Sequence, residues 1–186
     1  MKLQKTFFEN KDTLTLAKDL LGKVLVRKTK EGMIKGIINE TEAYIEEDEA
    51  SHSYKGKKTK RNEIMFKEHG HIYVYFTYGM YHCINIVSER KGYGSAVLIR
   101  SVIPIEGENI MIKNRNWHRK NSKELANGPA KVCLAFDIDK LYNGLCVLDE
   151  VSDIFLEDIG YKVPKIKKSS RIGISKGIDK KWRFYF

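Results

Sequence analysis

An aromatic hairpin at residues 71–83 is the feature that most constrains the fold of this chain. The stretch reads HIYVYFTYGMYHC, and its alternation continues into YHCINIVS beyond Tyr78-Gly79, which is typical of a turn. Its tyrosines fall within nine positions and are Tyr73, Tyr75, Tyr78 and Tyr81. In an extended run, Tyr73 and Tyr75 share a face, whereas Tyr78 lies at the exposed tip. A phenol hydroxyl needs a partner wherever it is buried, so this hairpin indicates a specialised surface.

Other periodic segments predict a mixed fold. Strands are predicted at KVLVRKT, MIKGIINETEAY, SAVLIRSVI, LCVL, DIFLE, RIGIS and WRFYF. Helices are predicted from a cap at Asp12 or Thr13, after Pro104, and from Pro129 with Asn127 as the cap. This order is not the regular strand–helix alternation of a doubly wound fold. We therefore expect one α+β domain over residues 1–186, with a curved, largely antiparallel sheet, flanking helices and a protruding β-hairpin.

The formal charge of +10 is the strongest signal in the composition. Basic residues cluster at residues 55–61, around Trp117, and at residues 162–183, where nine Lys or Arg residues accompany one acid. The cluster around Trp117 consists of Lys113, Arg115, Arg119, Lys120 and Lys123. Such patches suit a phosphate backbone, and a solvated lysine-rich surface is the alternative of equal weight.

Several classes of protein are disfavoured by the sequence. No stretch approaches the length of a membrane span and the start lacks an apolar signal region, so we expect no membrane partner. Three widely spaced cysteines, Cys83, Cys133 and Cys146, form no CxxC pair, which disfavours a zinc site or a disulfide framework. We expect a cytoplasmic, nucleoid-associated protein in a reducing compartment. Phosphate-binding glycine motifs of the GxxxxGK[ST] and GxGxxG types do not occur.

Carboxylates concentrate in two neighbouring motifs. In NETEAY, strand alternation would place Glu40 and Glu42 on one face with Ile38, where a half-buried carboxylate needs a cation or a water to activate. The alternative is an edge-strand glutamate that faces solvent. The acidic run at residues 46–49 could form a metal site with His52, but four adjacent acids more often make a solvated loop.

Taken together and in order, these stretches resemble the alkyladenine (3-methyladenine) DNA glycosylase family. The resemblance runs from about Leu16 to the C-terminus and rests on LLGKVLVR, ETEAY followed by DEASHS, RNEIMF, IYVYFTYGMYHCINI, AVLIR and NGPAKV. Members of this family flip a damaged purine out of duplex DNA and hydrolyse its N-glycosidic bond. The resemblance implies double-stranded DNA with alkylated or deaminated purines as the partner, a monomeric enzyme, and no cofactor or metal.

The resemblance assigns the chemistry to two residues. Glu42, in ETEAY, would be the general base that activates a water, and Arg100, in AVLIR, would hold that water and the carboxylate. Arg100 would also lower the pKa of Glu42 and keep it ionised. The motifs place no lysine as a nucleophile, so we expect a monofunctional hydrolase that does not cleave the strand.

The resemblance assigns the recognition of the base to five residues. Tyr44 and Tyr75 would stack on opposite sides of the flipped base. His52 would form another wall and offer its backbone N–H to the base edge. Asn85, in HCINI, would exclude guanine by a clash with the 2-amino group. Tyr78 would intercalate from the minor groove into the gap left by the flipped nucleotide.

Two functions from other classes remain open alternatives. One is a non-catalytic nucleic-acid-binding module with the same basic and aromatic surface. The other is a metal-dependent nuclease that would use Glu40, Glu42, Asp48 and Glu49.

Overall fold

The computed structural model describes residues 1–118 and 124–186. Arg119, Lys120 and Lys123 of the predicted basic cluster therefore lie outside the described residues. Within the described residues, the longest helices are short and none is long and apolar enough to cross a membrane.

Eight antiparallel strands form one curled sheet in the described part of the chain. In chain order they are β1 (Val24–Thr29), β2 (Gly32–Tyr44), β3 (Ile72–Thr77), β4 (Tyr81–Val87), β5 (Ala96–Glu106), β6 (Ile154–Glu157), β7 (Lys167–Ser169) and β8 (Arg183–Tyr185). The main path across the sheet is β3-β4-β5-β2-β1-β6, and β8 pairs with both β2 and β7. The prediction of an α+β domain with a largely antiparallel sheet is confirmed.

Three α-helices lie in the same described ranges: α1 (Thr13–Asp19), α2 (Glu108–Asn114) and α3 (Pro129–Ala135). Helix α1 begins as predicted, because the Asp12 carboxylate accepts a hydrogen bond of 2.6 Å from the Thr15 N–H. Helix α3 begins at Pro129, but the capping residue is Gly128. The prediction of Asn127 as the cap is wrong, since its amide oxygen instead accepts from Lys131 Nζ at 2.6 Å.

The main hydrophobic core lies between one face of the sheet and the three helices of the described residues. It includes Leu16 and Leu20 from the first helix and its end, Ile99 from β5, and Val132 and Phe136 from the third helix and its end, all without exposed surface. Residues at alternate positions of β3, β4 and β5 point away from this core, because successive side chains of a strand face opposite sides. That second face is where the polar residues meet.

The aromatic hairpin forms as predicted. Strands β3 and β4 pair from Ile72 with Ile86 to Thr77 with Tyr81. The turn needs positive φ, which Tyr78 adopts at 51° and Gly79 at 67°. The Tyr78 ring is 82% exposed at the tip.

Two predicted C-terminal strands do not form. LCVL makes only an isolated bridge between Cys146 and His71. RIGIS runs as bends and not as a strand, because Gly173 has a φ of 76° and the Arg171 side chain is drawn into the interior. Residues 167–169 pair with β8 instead, whereas DIFLE and WRFYF form β6 and β8 as expected.

Candidate active site

A break in strand alternation puts Glu42 on the sheet face opposite the main core. The pairing of β2 with β5 shifts register on both sides of Glu40. As a result Ile38 and Thr41 both face the core, and the Thr41 hydroxyl donates to the Ala17 carbonyl of α1 at 2.7 Å. The expectation that Ile38 shares a face with Glu42 is therefore wrong, because a bulge re-aims the strand at this point.

The residues that face away from the core form a row across four adjacent strands. Tyr73 of β3 pairs with Asn85 of β4, Asn85 pairs with Leu98 of β5, and Leu98 pairs with Glu42 of β2. A cavity of about 310 Å³ opens over this row. Its lining includes six of the seven sequence-predicted site residues: Tyr44, His52, Tyr75, Tyr78, Asn85 and Arg100.

Glu42, the seventh predicted residue, lies beneath the cavity lining and has no exposed surface. Its Oε1 accepts a hydrogen bond of 2.8 Å from the Ile172 N–H, and its Oε2 accepts one of 2.8 Å from the Tyr44 hydroxyl. Arg100 Nε lies 3.4 Å from the same Oε1. The carboxylate is thus surrounded by donors, as a buried charge must be.

Arg100 is shared between two carboxylates of β2. Its Nε is closer to Glu40, at 2.7 Å, than to Glu42. Glu40 also accepts from Arg183 Nε of β8 at 2.6 Å. Glu40 therefore has two ion pairs, with Arg100 and Arg183, whereas Glu42 combines the longer ion pair with Arg100 and hydrogen bonds from two neutral donors.

Burial raises the pKa of Glu42 above its ordinary value, even though Arg100, the Ile172 N–H and the Tyr44 hydroxyl each pull it down. Arg100 lowers the pKa of Glu42 in the predicted direction, but the net shift is upward, because removal of the carboxylate from water outweighs the guanidinium and the two neutral donors together. A buried carboxyl with a raised pKa beside a cavity marks Glu42 as a candidate functional residue.

Three aromatic side chains form one wall of the cavity. His52 meets the Tyr75 ring edge to face, with ring centroids 4.7 Å apart and planes at 84°. His52 Nδ1 lies 2.9 Å from the hydroxyl of Tyr73, which is 1% exposed. Desolvation, with the nearby charge of Arg61, lowers the pKa of His52 and favours the neutral ring. Tyr73 had no predicted role; its position opposite Asn85 in the hairpin register is the signal that could have identified it.

Asn85 is held by the backbone around it. Its side-chain amide donates to the Tyr73 carbonyl at 3.0 Å and to the Cys83 carbonyl at 3.4 Å. The residue is 4% exposed and lines the cavity. These bonds fix the orientation of the amide, so Asn85 presents a rigid polar edge to whatever enters.

The acidic run at residues 46–49 is solvated only in part, because Glu47 and Glu49 are exposed whereas Asp48 is buried. Glu46 accepts from the Gly94 N–H at 3.0 Å, and Glu47 accepts from the Tyr93 hydroxyl. Asp48 is fully buried and forms a two-pronged ion pair with Arg171. Among the described residues, no group of three or more His, Cys, Asp or Glu side chains is arranged to hold a metal ion. Of the acids expected of a nuclease site, Glu40 and Glu42 share Arg100, whereas Asp48 pairs with Arg171 and Glu49 accepts from the Tyr54 hydroxyl.

Comparison with known proteins identifies the family. The family model described as Methylpurine-DNA glycosylase matches residues 6–186. The chain belongs to the methylpurine-DNA glycosylase family. Among its relatives, a protein of Clostridium perfringens (strain SM101) is 45% identical over 198 residues, covering 100% of this chain and 95% of the relative. A protein of the archaeon Methanocella arvoryzae is 48% identical over 182 residues, covering 96% of this chain and 89% of the relative.

Both relatives carry the name "Putative 3-methyladenine DNA glycosylase". A third, from Clostridium botulinum (strain Alaska E43), has the same name and is 43% identical over the whole chain and 95% of its own length. Membership of the methylpurine-DNA glycosylase family confirms the resemblance read from the sequence motifs.

Proposed function

We propose that this protein is a monofunctional DNA glycosylase of base excision repair. It flips alkylated or deaminated purines, of the 3-methyladenine, 7-methylguanine, hypoxanthine and ethenoadenine class, out of duplex DNA. It then hydrolyses the N-glycosidic bond with a water activated by Glu42. The observation that carries this proposal is a fully buried carboxylate with a raised pKa directly beneath an aromatic cavity.

The chemistry follows from the charge of the substrate. A purine alkylated at N3 or N7 is cationic and leaves with the electron pair of the N-glycosidic bond as a neutral base. The sugar passes through an oxocarbenium-like state, as in glycoside hydrolysis. A water oxygen bonds to the anomeric carbon and gives its proton to the Glu42 carboxylate, whose negative charge also stabilises the developing cation.

Arg100 supports this role by its position. Its guanidinium lines the cavity and approaches Glu42 Oε1 to 3.4 Å while bonding Glu40 at 2.7 Å. It is therefore a fixed cationic donor that can orient a water against the Glu42 carboxylate. Its charge is shared between Glu40 and Glu42. Glu40 keeps this guanidinium in place as the charge on Glu42 changes during the reaction.

The cavity walls support recognition of a flipped base. Stacking on an aromatic side chain contributes about 1–3 kcal/mol per base, whereas flipping costs a few kcal/mol and less for a damaged nucleotide. Tyr44 and Tyr75, with the edge-on His52, are of the right size to offset that cost. A cationic alkylpurine gains roughly a further 0.5–2 kcal/mol against the phenol faces.

The exposed hairpin supports the flipping step. Tyr78 lies at the tip and also borders the cavity, so its ring can enter the base stack while the base enters the pocket. Tyr78 is flanked by further exposed apolar side chains, Phe76 at 52% and Met80 at 63%. An apolar tip beside the basic segment 55–61 suits a minor-groove wedge that is attracted to DNA by charge. Because one chain supplies all these groups, we propose that the enzyme acts as a monomer.

Release of free base is the deciding experiment. The protein is incubated with alkylated duplex DNA in EDTA, and the supernatant is analysed by chromatography for free 3-methyladenine and 7-methylguanine. We expect base release, an intact strand until alkali is added, and no borohydride-trapped protein–DNA adduct, since no lysine is among the described residues that line the cavity. Binding without release would favour the non-catalytic module. Cutting of the backbone that EDTA abolishes would favour the nuclease.

A further inference from the structure

A buried ion pair ties the C-terminal segment to the strand that carries Glu42. Arg171 is 5% exposed, and its Nη2 donates to Asp48 Oδ1 at 2.9 Å while its Nη1 donates to Oδ2. The same Nη1 donates to the Ala43 carbonyl at 2.9 Å. Ala43 separates Glu42 from Tyr44, so the guanidinium is anchored to the backbone between the two residues that lie closest to the proposed chemistry.

Arg171 also contacts the Tyr44 side chain. The centre of its guanidinium lies 4.6 Å from the centroid of the Tyr44 ring, whose hydroxyl donates to Glu42. A planar guanidinium on an aromatic face holds the ring in one orientation. Tyr44 is therefore fixed at its face by Arg171 and at its hydroxyl by the carboxylate.

The residue that follows Arg171 completes the arrangement. The Ile172 N–H donates to Glu42 Oε1 at 2.8 Å, and Ile172 to Ile174 border the cavity. Residues 171–175 form no strand, so the sheet does not fix this N–H in place. Immediately before this N–H, the Arg171 side chain is bonded to Asp48 and to the Ala43 carbonyl.

We infer that Asp48 and Arg171 form a positioning pair for the proposed reaction, which fixes Glu42 through the Ile172 N–H and Tyr44 through ring stacking. This inference rests on the proposed function and extends it to residues that touch neither the base nor the water. It also gives the acidic loop a role, because Asp48 determines where Arg171 is held. A further cation, Lys180 at 3.3 Å from Asp48 Oδ1, supports the pair from outside.

The main test removes the pair without leaving an uncompensated buried charge. The double variant Asp48→Leu/Arg171→Met replaces both partners with apolar groups, which folded proteins often tolerate. We expect single-turnover excision to fall roughly 100-fold, as is typical when catalytic groups are misplaced by about 1 Å. Affinity for undamaged duplex should stay within about threefold of the wild type, because the basic surface that binds phosphates is unchanged.

The pH profile separates positioning from a merely structural role. Loss of the Ile172 N–H removes a donor that favours the ionised carboxylate, so the acidic limb of the rate profile should move to higher pH. Tyr44 also loses the guanidinium on its ring face, and a weaker bond from its hydroxyl to Glu42 moves the limb in the same direction. The other charged and titratable groups that face Glu42 are not bonded to the pair: Glu40, Tyr75, Cys83 and Arg100. The more conservative Arg171→Lys keeps a cation for Asp48 and should restore part of the rate and of the profile.

Hydrogen exchange gives a readout that needs no activity. The Ile172 amide should be protected in the wild type and exchange at least tenfold faster in the double variant. A folded double variant with wild-type rate, acidic limb and exchange would overturn the inference. If the wild type itself releases no base, the proposed function fails, and the exchange comparison still tests the anchor.

A glycine variant covers the case in which the double variant does not fold. A Cβ at Gly177, where φ is 58°, would meet Asp48 Oδ1 at 2.8 Å and Arg171 Nη2 at 3.1 Å, so Gly177→Ala pushes on the intact pair. Gly160→Ala is the matched control, because φ there is 71° and no atom lies within 4 Å of the added Cβ. We expect Gly177→Ala to slow excision about tenfold relative to Gly160→Ala and to move the acidic limb. Equal rates and limbs for the two variants would also overturn the inference.

Discussion

Replacing Glu42 by glutamine should greatly slow excision and at the same time stabilise the fold at neutral pH. Glu42 has no exposed surface and a raised pKa, so the folded protein prefers the protonated carboxyl. Between the ordinary carboxyl pKa of about 4.3 and the raised pKa of the folded state, the folded protein binds more protons than the unfolded chain. Stability contributed by this residue is therefore present at low pH and falls as the pH rises through that window.

The contacts of Glu42 set the size of both effects. Glutamine keeps the shape: its oxygen can accept from the Ile172 N–H, and its amide can donate to the Tyr44 hydroxyl. Exchanging two charge-assisted bonds for neutral ones costs about 1 kcal/mol each. A carboxylate taken out of water costs several kcal/mol, and Arg100, the Ile172 N–H and the Tyr44 hydroxyl offset this only in part, because the pKa of Glu42 stays raised. We expect a net gain on the order of 1 kcal/mol, which raises the Tm of a chain of this length by about 2–4 °C.

The assay compares melting and excision on the same preparations from pH 4.5 to 8. Glu42→Gln should lower the single-turnover rate by about 10²–10⁴-fold, the usual contribution of a general base, while lesion binding stays within about tenfold. The gain in Tm over the wild type should grow with pH across the range in which wild-type excision rises. Glu40→Gln is the matched control and should lower the Tm, because it leaves Arg100 and Arg183 without their shared carboxylate. A Glu42→Gln protein that melts several degrees below the wild type at pH 7, or that keeps near-normal excision, would refute the reasoning.

Further predictions concern DNA and base selection. Tyr78→Ser should destabilise the flipped state by a few kcal/mol, and the effect should be largest for well-paired lesions. The fluorescence of a 2-aminopurine beside the lesion measures flipping, and full flipping of a paired lesion by the variant would contradict the wedge role. Asn85→Ser should raise single-turnover release of undamaged guanine from mismatches, and a rate equal to that of the wild type would assign Asn85 to structure alone. Binding should weaken with salt with a log–log slope of about −0.9 per neutralised phosphate, and substitution of lysines in residues 55–61 should flatten that slope.

Local patterns in the sequence predicted most of the sheet. Alternation identified the hairpin at residues 71–83 and the long strand that ends at Tyr44, and the Asp12 cap identified the first helix, because each signal lies within a few residues of the element it specifies. The pocket residues Tyr75 and Asn85 could be placed for the same reason. They lie on one face of two consecutive strands joined by a tight turn, so the hairpin register brings them together.

What the sequence did not reveal depends on contacts between distant segments. The bulge at Glu40 moves the side chains that follow it in β2 to the opposite face of the sheet. The sequence NETEAY does not reveal the bulge, because it is equally compatible with regular strand alternation. The direction of the Glu42 pKa shift also follows from this geometry. The reversed face buries the carboxylate under Tyr44 and Ile172, and burial then outweighs the guanidinium that the motif supplies.

The acidic run at residues 46–49 shows the same dependence on distant contacts, because adjacent acids differ in burial. Glu46, Glu47 and Asp48 are consecutive acids that the sequence pattern does not distinguish, yet only Asp48 of the three is fully buried. Its partner, Arg171, lies 123 positions away in a segment that was predicted to be a strand. Hydrophobic periodicity predicted RIGIS to be a strand. It carries no information about Asp48, the buried partner that draws Arg171 into the interior. Once Arg171 turns inward, the Ile172 N–H is directed at Glu42 and not at a neighbouring strand. The failure of the strand prediction and the binding of the buried carboxylate therefore have one physical cause.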